Sequence, residues 1–287
     1  MSKISFAVIG GSGLDSMPGL QEIEEFFPDT PYGKPSAPII TGSLDGLRVA
    51  FLARHGTGHK LSASQVPYRA NIYALKELGV ERVVSISACG SLRDDFAPGD
   101  IVIPDQIFDF TRQRARTFFE DGIAVHIGVA DPFCADLSRQ LTEAVKASTG
   151  VTHLGGALIT IEGPRFSTRS ESNIFRAWGM SVINMSTAPE VFLAREAEMC
   201  YSVMNHVTDY DVWHITEKPV SVEMITEVLH HNRELVYKTL HHLARTLSEV
   251  RDCSCSSSLS GAIITRPDLI APEVRQRLKP LTGKYLG

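Results

Sequence analysis

Short apolar runs alternate along this chain with longer stretches of helical periodicity. The apolar runs lie at residues 3–11, 48–53, 81–88, 156–161, 180–185 and 200–207. Helical patterns occupy residues 65–78, 134–148, 168–178 and 189–198, and a long one lies near 221–248. Strands that are apolar throughout must be covered on both faces by helices. The alternation therefore predicts an α/β fold, built as one domain over residues 1–250.

Several helix starts are marked by capping residues. Thr168 with Glu171, and Thr187 with Glu190, have the spacing of the capping box, and Ser221 can cap the last long helix. That last helix carries one apolar stripe, formed by Ile225, Val228, Leu229, Val236, Leu240, Leu243 and Leu247. We therefore expect a continuous amphipathic helix over residues 221–248.

The composition changes after residue 250. The stretch "CSCSSSLSG" is typical of a flexible linker. The sequence that follows it predicts a tail with at most one short helix. We therefore divide the chain into residues 1–250 and a Ser-rich linker and tail at 251–287.

Charge and cysteine content restrict the class of protein. A formal net charge of −5 argues against a surface for nucleic acid or an anionic membrane. The five cysteines are scattered and show no C-x-x-C spacing, which favours a reduced protein without structural zinc or another metal. No apolar run has the length of a membrane span or the form of a signal peptide, so we expect a cytoplasmic protein.

Polar residues follow each predicted strand, where an open α/β sheet binds its ligands. The stretch "GGSG" at residues 10–13 fails the dinucleotide fingerprint, because Ser16 stands at the position of the third glycine, and the P-loop lysine is absent. Ser12, Arg54, Ser87 and Ser186 could together hold a free phosphate without a metal. The alternatives are a tight turn, an arginine that is solvated or paired with an acid, and an ordinary helix N-cap.

Two acids end the last apolar run. Asp209 and Asp211 flank Tyr210 just after residues 200–207. Neighbouring carboxyls disfavour each other's ionisation, so one can stay protonated near neutral pH. A protonated and an ionised acid match the N7 acceptor and the amino donor of adenine, and Phe166 could stack on such a base. The alternative is that both acids are turn residues that solvate a strand end.

Seven stretches resemble one known family in their order and spacing. They are "IGGSGL", "LARHG", "ACGSL", "PGDIVIPDQ", "TIEGPRFSTR", "VINMST" and "TDYD". Over residues 4–248 the chain is similar to the 5′-methylthioadenosine phosphorylases, a group of trimeric purine nucleoside phosphorylases. The resemblance implies a phosphorylase/hydrolase-like α/β fold, with a twisted mixed sheet flanked by helices. It also implies phosphorolysis of methylthioadenosine without a cofactor, with phosphate as co-substrate, in a homotrimer or a dimer of trimers.

The resemblance also implies roles for individual residues. Phosphate would be held by Ser12, Arg54, His55, Ser87, Ala88 and Ser186. Met185 would pack on the ribose, Phe166, Ser167 and Tyr210 would contact the nucleoside, and Asp209 and Asp211 would face N7 and the amino group. Val222 and Thr226 would lie near the 5′ substituent, and His126 would close the 5′ pocket of a neighbouring subunit.

Some positions depart from the family pattern and leave rival functions open. Relatives often carry threonine where Ser12, Ser87 and Ser186 stand, and an apolar residue where Thr226 stands, so 5′-deoxyadenosine or adenosine are alternative substrates. A 6-oxopurine nucleoside phosphorylase is a second rival, although such enzymes carry Asn where Asp209 stands. A non-catalytic purine sensor with the same fold is the third.

Overall fold

The computed structural model describes residues 4–10, 17–214 and 221–287. Its strands are β1 (Phe6–Gly10), β2 (Gln21–Phe26), β3 (Ile39–Leu44), β4 (Leu47–Ala53), β5 (Arg82–Ser91), β6 (Ile101–Ile103), β7 (Gln106–Phe110), β8 (Thr152–Leu154), β9 (Ala157–Ile161), β10 (Val182–Asn184) and β11 (Cys200–Asp209). Its helices are α1 (Tyr68–Glu77), α2 (Ala135–Ala147), α3 (Arg169–Ala177), α4 (Thr187–Glu196), α5 (Val222–His231), α6 (Arg233–Thr246) and α7 (Pro272–Leu286).

All these strands belong to one mixed sheet. The order along its main path is β2-β3-β4-β1-β5-β10-β9-β7, and β11 pairs with β5 and β6 beside that path. β1 is parallel to β4 and β5, whereas β10 is antiparallel to β5. Helices cover both faces: apolar residues of α1, α4 and α7 join one core cluster, and those of α2 and α6 join another. The predicted α/β fold with a twisted mixed sheet flanked by helices is confirmed.

The sheet divides at β5, and this division places the chemistry. β11 runs parallel to β5 from Arg82 to Gly90, and β10 pairs with the last two residues of β5, Gly90 and Ser91. Gly90 stands at the fork, where an added Cβ would lie 3.0 Å from Asp209 Oδ1 and 3.1 Å from Ile183 Cγ2. The ends of β10 and β11 can therefore converge only because residue 90 has no side chain.

The predicted strands are all present, but the sequence patterns did not predict β2, β3, β6, β7 and β8. β2 is charged and exposed on the sheet edge, and β6 and β8 have only three residues each. The predicted helix over 221–248 is wrong in its continuity, because it divides into α5 and α6 at Asn232. The Asn232 amide donates to Gly99 O and to His206 Nδ1, so its side chain is committed to the strand layer.

Two of the three predicted helix caps are confirmed. Thr168 and Glu171 form the capping box of α3, and the Ser221 hydroxyl accepts from Met224 N at the start of α5. The predicted capping box of Thr187 with Glu190 is wrong. Both residues lie inside α4, and the Glu190 carboxylate is used by other partners.

The C-terminal segment is folded onto the domain, contrary to the flexible linker that its composition suggests. The Ser-rich stretch contains a 3₁₀ helix at Ser254–Ser257, and Leu259 is buried. Val274, Leu278 and Leu281 follow helical spacing on α7 and join the core cluster that contains α1. The boundary at residue 250 stays a prediction, whereas the loose character assigned to the tail is corrected.

The cysteines are also less scattered than their sequence spacing suggests. All five are free thiols, and the sulfurs of Cys134, Cys200, Cys253 and Cys255 lie within 4.8 Å of one another. Across the described ranges, the helices include none with the length and apolar character needed to cross a membrane.

Candidate active site

A cavity of about 820 Å³ opens where β5, β10 and β11 meet. Most of the predicted site residues line it, namely Arg54, His55, Ser87, Ala88, Phe166, Ser167, Met185, Ser186, Asp209, Asp211, Val222 and Thr226. The cavity has the size and mixed lining of a small-molecule site. Residues that are far apart in sequence are therefore brought together at the fork in the sheet.

Two predicted site residues, Tyr210 and His126, do not line the cavity, and a third, Ser12, lies outside the described residues. The Tyr210 ring packs on Trp213 and His214, with centroids 5.9 and 4.8 Å away, so it supports the strand end rather than the cavity wall. His126 is exposed, and its backbone N–H donates to Ala262 O.

Arg54 is buried and is held by protein acceptors. Its Nε and Nη2 make a bidentate contact with Glu190, at 2.8 and 2.9 Å. Its other donors reach Ile9 O, Ile86 O and Ser85 Oγ, which leaves one Nη1 hydrogen without a partner in the described part of the chain. Burial opposes the charge, but Glu190 outweighs burial and raises the pKa of Arg54. The guanidinium is therefore fixed in place and stays protonated, and the Glu190 carboxylate offsets its positive charge.

His55 presents an acceptor to the cavity. Its Nδ1 lies 2.9 Å from Leu61 O, and because a carbonyl can only accept, Nδ1 carries the hydrogen. Burial, with a smaller contribution from the charge of Arg54, lowers the pKa of His55 to about 4. The ring is therefore neutral at physiological pH, and its Nε2 keeps a lone pair.

The hydroxyls of Ser87 and Ser186 meet across the fork at 3.0 Å. Asn184, at the end of β10, holds both sides of this pair. Its Nδ2 lies 3.4 Å from Ser87 Oγ, and its Oδ1 accepts from Ser186 N at 3.4 Å. Nδ2 also donates to Thr187 Oγ1 and Asn205 Oδ1, which fixes the orientation of the amide. Two hydroxyls are thus held side by side at the first turn of α4.

Asp209 is a buried carboxyl whose pKa lies close to neutral pH. Burial raises its pKa to about 6, against hydrogen bonds from Thr208 and from the backbone N–H of Asp211 that favour the anion. Those bonds are 2.6 Å to Oδ2 and 2.7 Å to Oδ1. The Thr208 hydroxyl also lies 3.2 Å from Cys89 O. Since a hydroxyl has one hydrogen, Thr208 can donate to the Asp209 carboxylate, or turn to Cys89 O and accept from a protonated Asp209.

Asp211 and two neighbouring serines have buried polar atoms that lack a hydrogen-bond partner in the described part of the chain. Burial raises the pKa of Asp211, although the Ser172 and Ser167 hydroxyls nearby oppose the rise. None of them makes a hydrogen bond of ordinary geometry with it: Asp211 Oδ2, Ser167 Oγ and Ser172 Oγ are all buried without a partner among the described residues. Such atoms are costly to bury, so those at the cavity wall are suited to bind a polar ligand.

Another part of the cavity lining is mostly apolar. It is formed by one side of α5, through Val222, Ile225, Thr226 and Leu229. The Thr226 hydroxyl donates to Val222 O at 2.8 Å, so its hydrogen is already used within the helix. Met185, which is half-buried, also lines the cavity. The cavity can therefore accommodate a molecule with a polar base, a central ring and an apolar substituent.

Sequence reasoning missed the residues that position these groups. Glu190 and Arg114 hold parts of the site, since Arg114 donates to Met185 O at 2.7 Å and to Glu162 O at 2.8 Å. The missed signal for Glu190 was an acid in an otherwise apolar helix start, "TAPEVFLA". His206 is also buried at the cavity; its Nδ1 accepts from the Asn232 amide, so Nε2 carries a hydrogen that has no described partner.

Comparisons with known proteins agree with this geometry. Residues 5–245 match the family model described as the phosphorylase superfamily. The chain is 48% identical over 280 residues to S-methyl-5′-thioadenosine phosphorylase of Geobacter sulfurreducens, covering 97% of this chain and 98% of that one.

Solved structures give the same result. A methylthioadenosine phosphorylase from an antarctic soil metagenomic library matches with a TM-score of 0.93 and 41% identity, over 98% of this chain and 99% of that one. A variant of adenosine/methylthioadenosine phosphorylase from Schistosoma mansoni, in complex with methylthioadenosine, matches with a TM-score of 0.84 and 32% identity, over 90% and 96% of the two chains. The chain therefore belongs to the phosphorylase superfamily, within the methylthioadenosine phosphorylase family.

Proposed function

We propose that this protein catalyses the reversible phosphorolysis of 5′-methylthioadenosine to adenine and 5-methylthioribose 1-phosphate. It is then a pentosyltransferase of the purine nucleoside phosphorylase type, with inorganic phosphate as co-substrate. The observation that carries the proposal is the buried carboxyl of Asp209, whose pKa of about 6 lets it supply a proton near neutral pH. The names of the relatives support the choice of substrate.

The purine binds against Asp209, Asp211 and Ser167. Protonated Asp209 donates to N7, and the free oxygen of Asp211 accepts from the 6-amino group. Ser167 Oγ, which is buried and has no hydrogen-bond partner among the residues described, is a further group for the base edge. Phe166 is 37% exposed and lies on the cavity wall, where its ring can cover the purine face.

Phosphate binds at the serine pair. One hydroxyl of the Ser87–Ser186 pair donates to the other, so the remaining hydroxyl hydrogen and the Nη1 hydrogen of Arg54 that has no described partner donate to the phosphate oxygens. His55 Nε2 accepts the hydrogen that hydrogenphosphate carries. Ser12 and Ala88 complete the set that the family resemblance implies. The Glu190 carboxylate holds Arg54 in place and offsets its charge, so hydrogen bonding rather than net charge selects the anion.

The reaction transfers the sugar from nitrogen to oxygen. The C1′–N9 bond breaks and its electron pair passes into the purine, while the proton of Asp209 moves to N7. A phosphate oxygen forms the new bond to C1′ on the opposite face of the sugar. General-acid help of this kind contributes about 10²–10⁴-fold. The Thr208 hydroxyl then turns from Cys89 O to donate to the newly formed carboxylate, which stabilises the product state.

The positions of His126 and Val222 also support the proposal that the protein is an oligomer. His126 is exposed and does not line the cavity of its own chain, which fits a residue that closes the 5′ pocket of a neighbouring subunit in a homotrimer. Val222, on the proposed 5′ wall, is 66% exposed in the single chain, which leaves room for a neighbouring subunit to cover it.

A second substrate class is favoured by one observation. Thr226 brings a hydroxyl oxygen to the apolar 5′ wall, and although its own hydrogen is used within the helix, this oxygen can accept from the 5′-hydroxyl of adenosine, so adenosine can compete with methylthioadenosine. A 6-oxopurine is disfavoured, because an ionised Asp211 would face O6 rather than an amino group.

One assay tests the proposal. Adenine release from methylthioadenosine is measured with and without phosphate. Base release is then measured with adenosine and 5′-deoxyadenosine, as adenine, and with inosine, as hypoxanthine. We expect release that requires phosphate, with methylthioadenosine as the preferred substrate. Release that does not depend on phosphate would indicate a hydrolase, and binding of methylthioadenosine without turnover would indicate a sensor; either result refutes the proposal.

A further inference from the structure

Four cysteine sulfurs converge outside the cavity. Cys134 is the N-cap of α2, Cys200 begins β11, and Cys253 and Cys255 belong to the C-terminal segment. All four sulfurs lie within 4.8 Å of one another, and the Cys200 and Cys253 sulfurs are 3.4 Å apart. Three of these residues are buried and Cys253 is half-buried. Three separate parts of the chain therefore bring their thiols together at one place.

The spacing fits a tetrahedral ion. A zinc–sulfur distance of about 2.3 Å places the four sulfurs of a tetrahedron about 3.8 Å apart. Two separate disulfides would bring sulfurs together in pairs at about 2.05 Å and would not require all four to converge. A set in which every sulfur is near every other is what one shared cation requires.

The surroundings of the cluster favour negatively charged sulfur. Leu137 N donates to Cys134 Sγ at 3.5 Å, at the positive end of α2. Arg195 is buried, and its Nη1 lies 3.3 Å from Cys255 Sγ. Across the residues that the structure describes, no carboxylate forms an ion pair with Arg195. Arg195 Nη2 donates to the backbone carbonyls of Asp131 and Pro132, but these groups are neutral, so among the described residues only anionic sulfur would compensate its buried charge.

We propose that Cys134, Cys200, Cys253 and Cys255 form a structural zinc site. Binding converts four thiols into four thiolates on one Zn²⁺ and releases four protons to solvent, and Arg195 offsets part of the remaining negative charge. Four thiolates in a tetrahedron suit both zinc and ferrous iron. Zinc is assigned because it has the higher affinity for such ligands. Sequence spacing alone does not reveal the site, because Cys253 and Cys255 are separated by one residue and the other ligands are distant.

The site would fasten the C-terminal segment to the domain. The ligands at residues 253 and 255 lie just before Leu259 and the packed helix α7. The zinc therefore acts on the stability of the fold and stands apart from the groups proposed for phosphorolysis. Its test does not depend on enzymatic activity.

The first test is the metal content of the whole protein, purified with a thiol reductant and without chelators. Elemental analysis should find about one zinc per chain, and thiol titration after denaturation and chelation should find all five cysteines reduced. Iron in place of zinc, no metal with five free thiols, or an intact mass lowered by disulfide formation would each overturn the proposal. Cobalt(II) substitution should give the intense visible absorption of a tetrahedral thiolate site.

The second test compares variants. Cys253→Ser and Cys255→Ser should each lose the bound zinc and lower the midpoint of thermal unfolding by about 5–10 °C. Cys89→Ser is the matched control, because Cys89 is buried but lies outside the cluster. Zinc retained by both ligand variants, or lost equally by the control, contradicts the assignment. If the ligand variants do not fold, the metal content and cobalt spectrum of the unaltered protein decide the question.

Discussion

Replacing Asp209 with asparagine removes the acidic carboxyl proton, which the protein can transfer, and keeps nearly the same side-chain shape. The asparagine Oδ1 can still accept from Asp211 N, as the carboxyl does at 2.7 Å. The amide can donate a neutral hydrogen bond to N7, but it cannot transfer its hydrogen. We therefore expect Asp209→Asn to lose the general-acid contribution, about 10²–10⁴-fold in kcat/KM for methylthioadenosine, or about 3–5 kcal/mol of transition-state stabilisation.

The pH profile separates this role from a structural one. With a pKa of about 6, about a tenth of Asp209 is protonated at pH 7, and kcat/KM should fall about tenfold for each further pH unit. The measurement is adenine release at saturating phosphate between pH 5 and 9. The variant should lose this descending limb, and its relative rate on inosine should rise. A variant that keeps the wild-type rate, or keeps the limb, would refute the role given to Asp209.

The same change should stabilise the fold at alkaline pH. The carboxyl ionises near pH 3.8 in the unfolded chain and near 6 in the folded protein, so ionisation destabilises the fold as pH rises from about 4 to about 6. Above that range the penalty is full, at up to about 3 kcal/mol. Urea unfolding at pH 5 and pH 8 should show the gain of the variant growing with pH. Asp29→Asn, at an exposed acid paired with Lys34 at 3.8 Å, is the control and should show no such growth.

Three further changes test neighbouring parts of the site. Thr208→Val removes the donor that favours the Asp209 anion, so the descending limb should move up by about 1–2 pH units; an unmoved or lowered limb contradicts the proposed hydrogen bond. Gly90→Ala places a methyl group 3.0 Å from Asp209 Oδ1 and should lower kcat/KM by about 10–100-fold, whereas Gly128→Ala, with open space around its Cβ, should leave it unchanged; equal effects would deny the close approach. Thr226→Val should raise the preference for methylthioadenosine over adenosine by about tenfold and Thr226→Ser should not, and a ratio that stays constant in both excludes Thr226 from the 5′ wall.

The predicted strands and helices follow from patterns that burial imposes directly. The runs that became β1, β4, β5 and β11 are apolar because both faces of the sheet are covered, and such runs are visible without knowledge of the partners. The edge strand β2, "QEIEEF", forms because β3 supplies its hydrogen bonds, and its own charged sequence gives no sign of that. Elements that depend on a distant neighbour could not be predicted locally.

The site residues show the same difference between features that are visible locally and features that depend on distant partners. The acids at 209 and 211 and the polar residues at strand ends were visible, because the position of a ligand site in this sheet type is fixed by topology. The commitment of Arg54 to Glu190 was not visible, since the two residues are 136 positions apart and Glu190 fitted a local capping pattern. Asn232 likewise interrupts a regular apolar stripe only because Gly99 and His206 lie beside it. Long-range polar pairing is the information that periodicity lacks.

The tautomer of His55 has a consequence for the choice of anion. With Nδ1–H committed to Leu61 O and a pKa lowered to about 4, the ring offers a lone pair amid the donors of the proposed phosphate site. Hydrogenphosphate and hydrogenarsenate bring a hydrogen to that lone pair, whereas sulfate at neutral pH carries none and would meet electrostatic repulsion. Two tetrahedral oxyanions of nearly equal size are thereby told apart by a single hydrogen: arsenate should replace phosphate in releasing adenine, and sulfate should compete poorly with either.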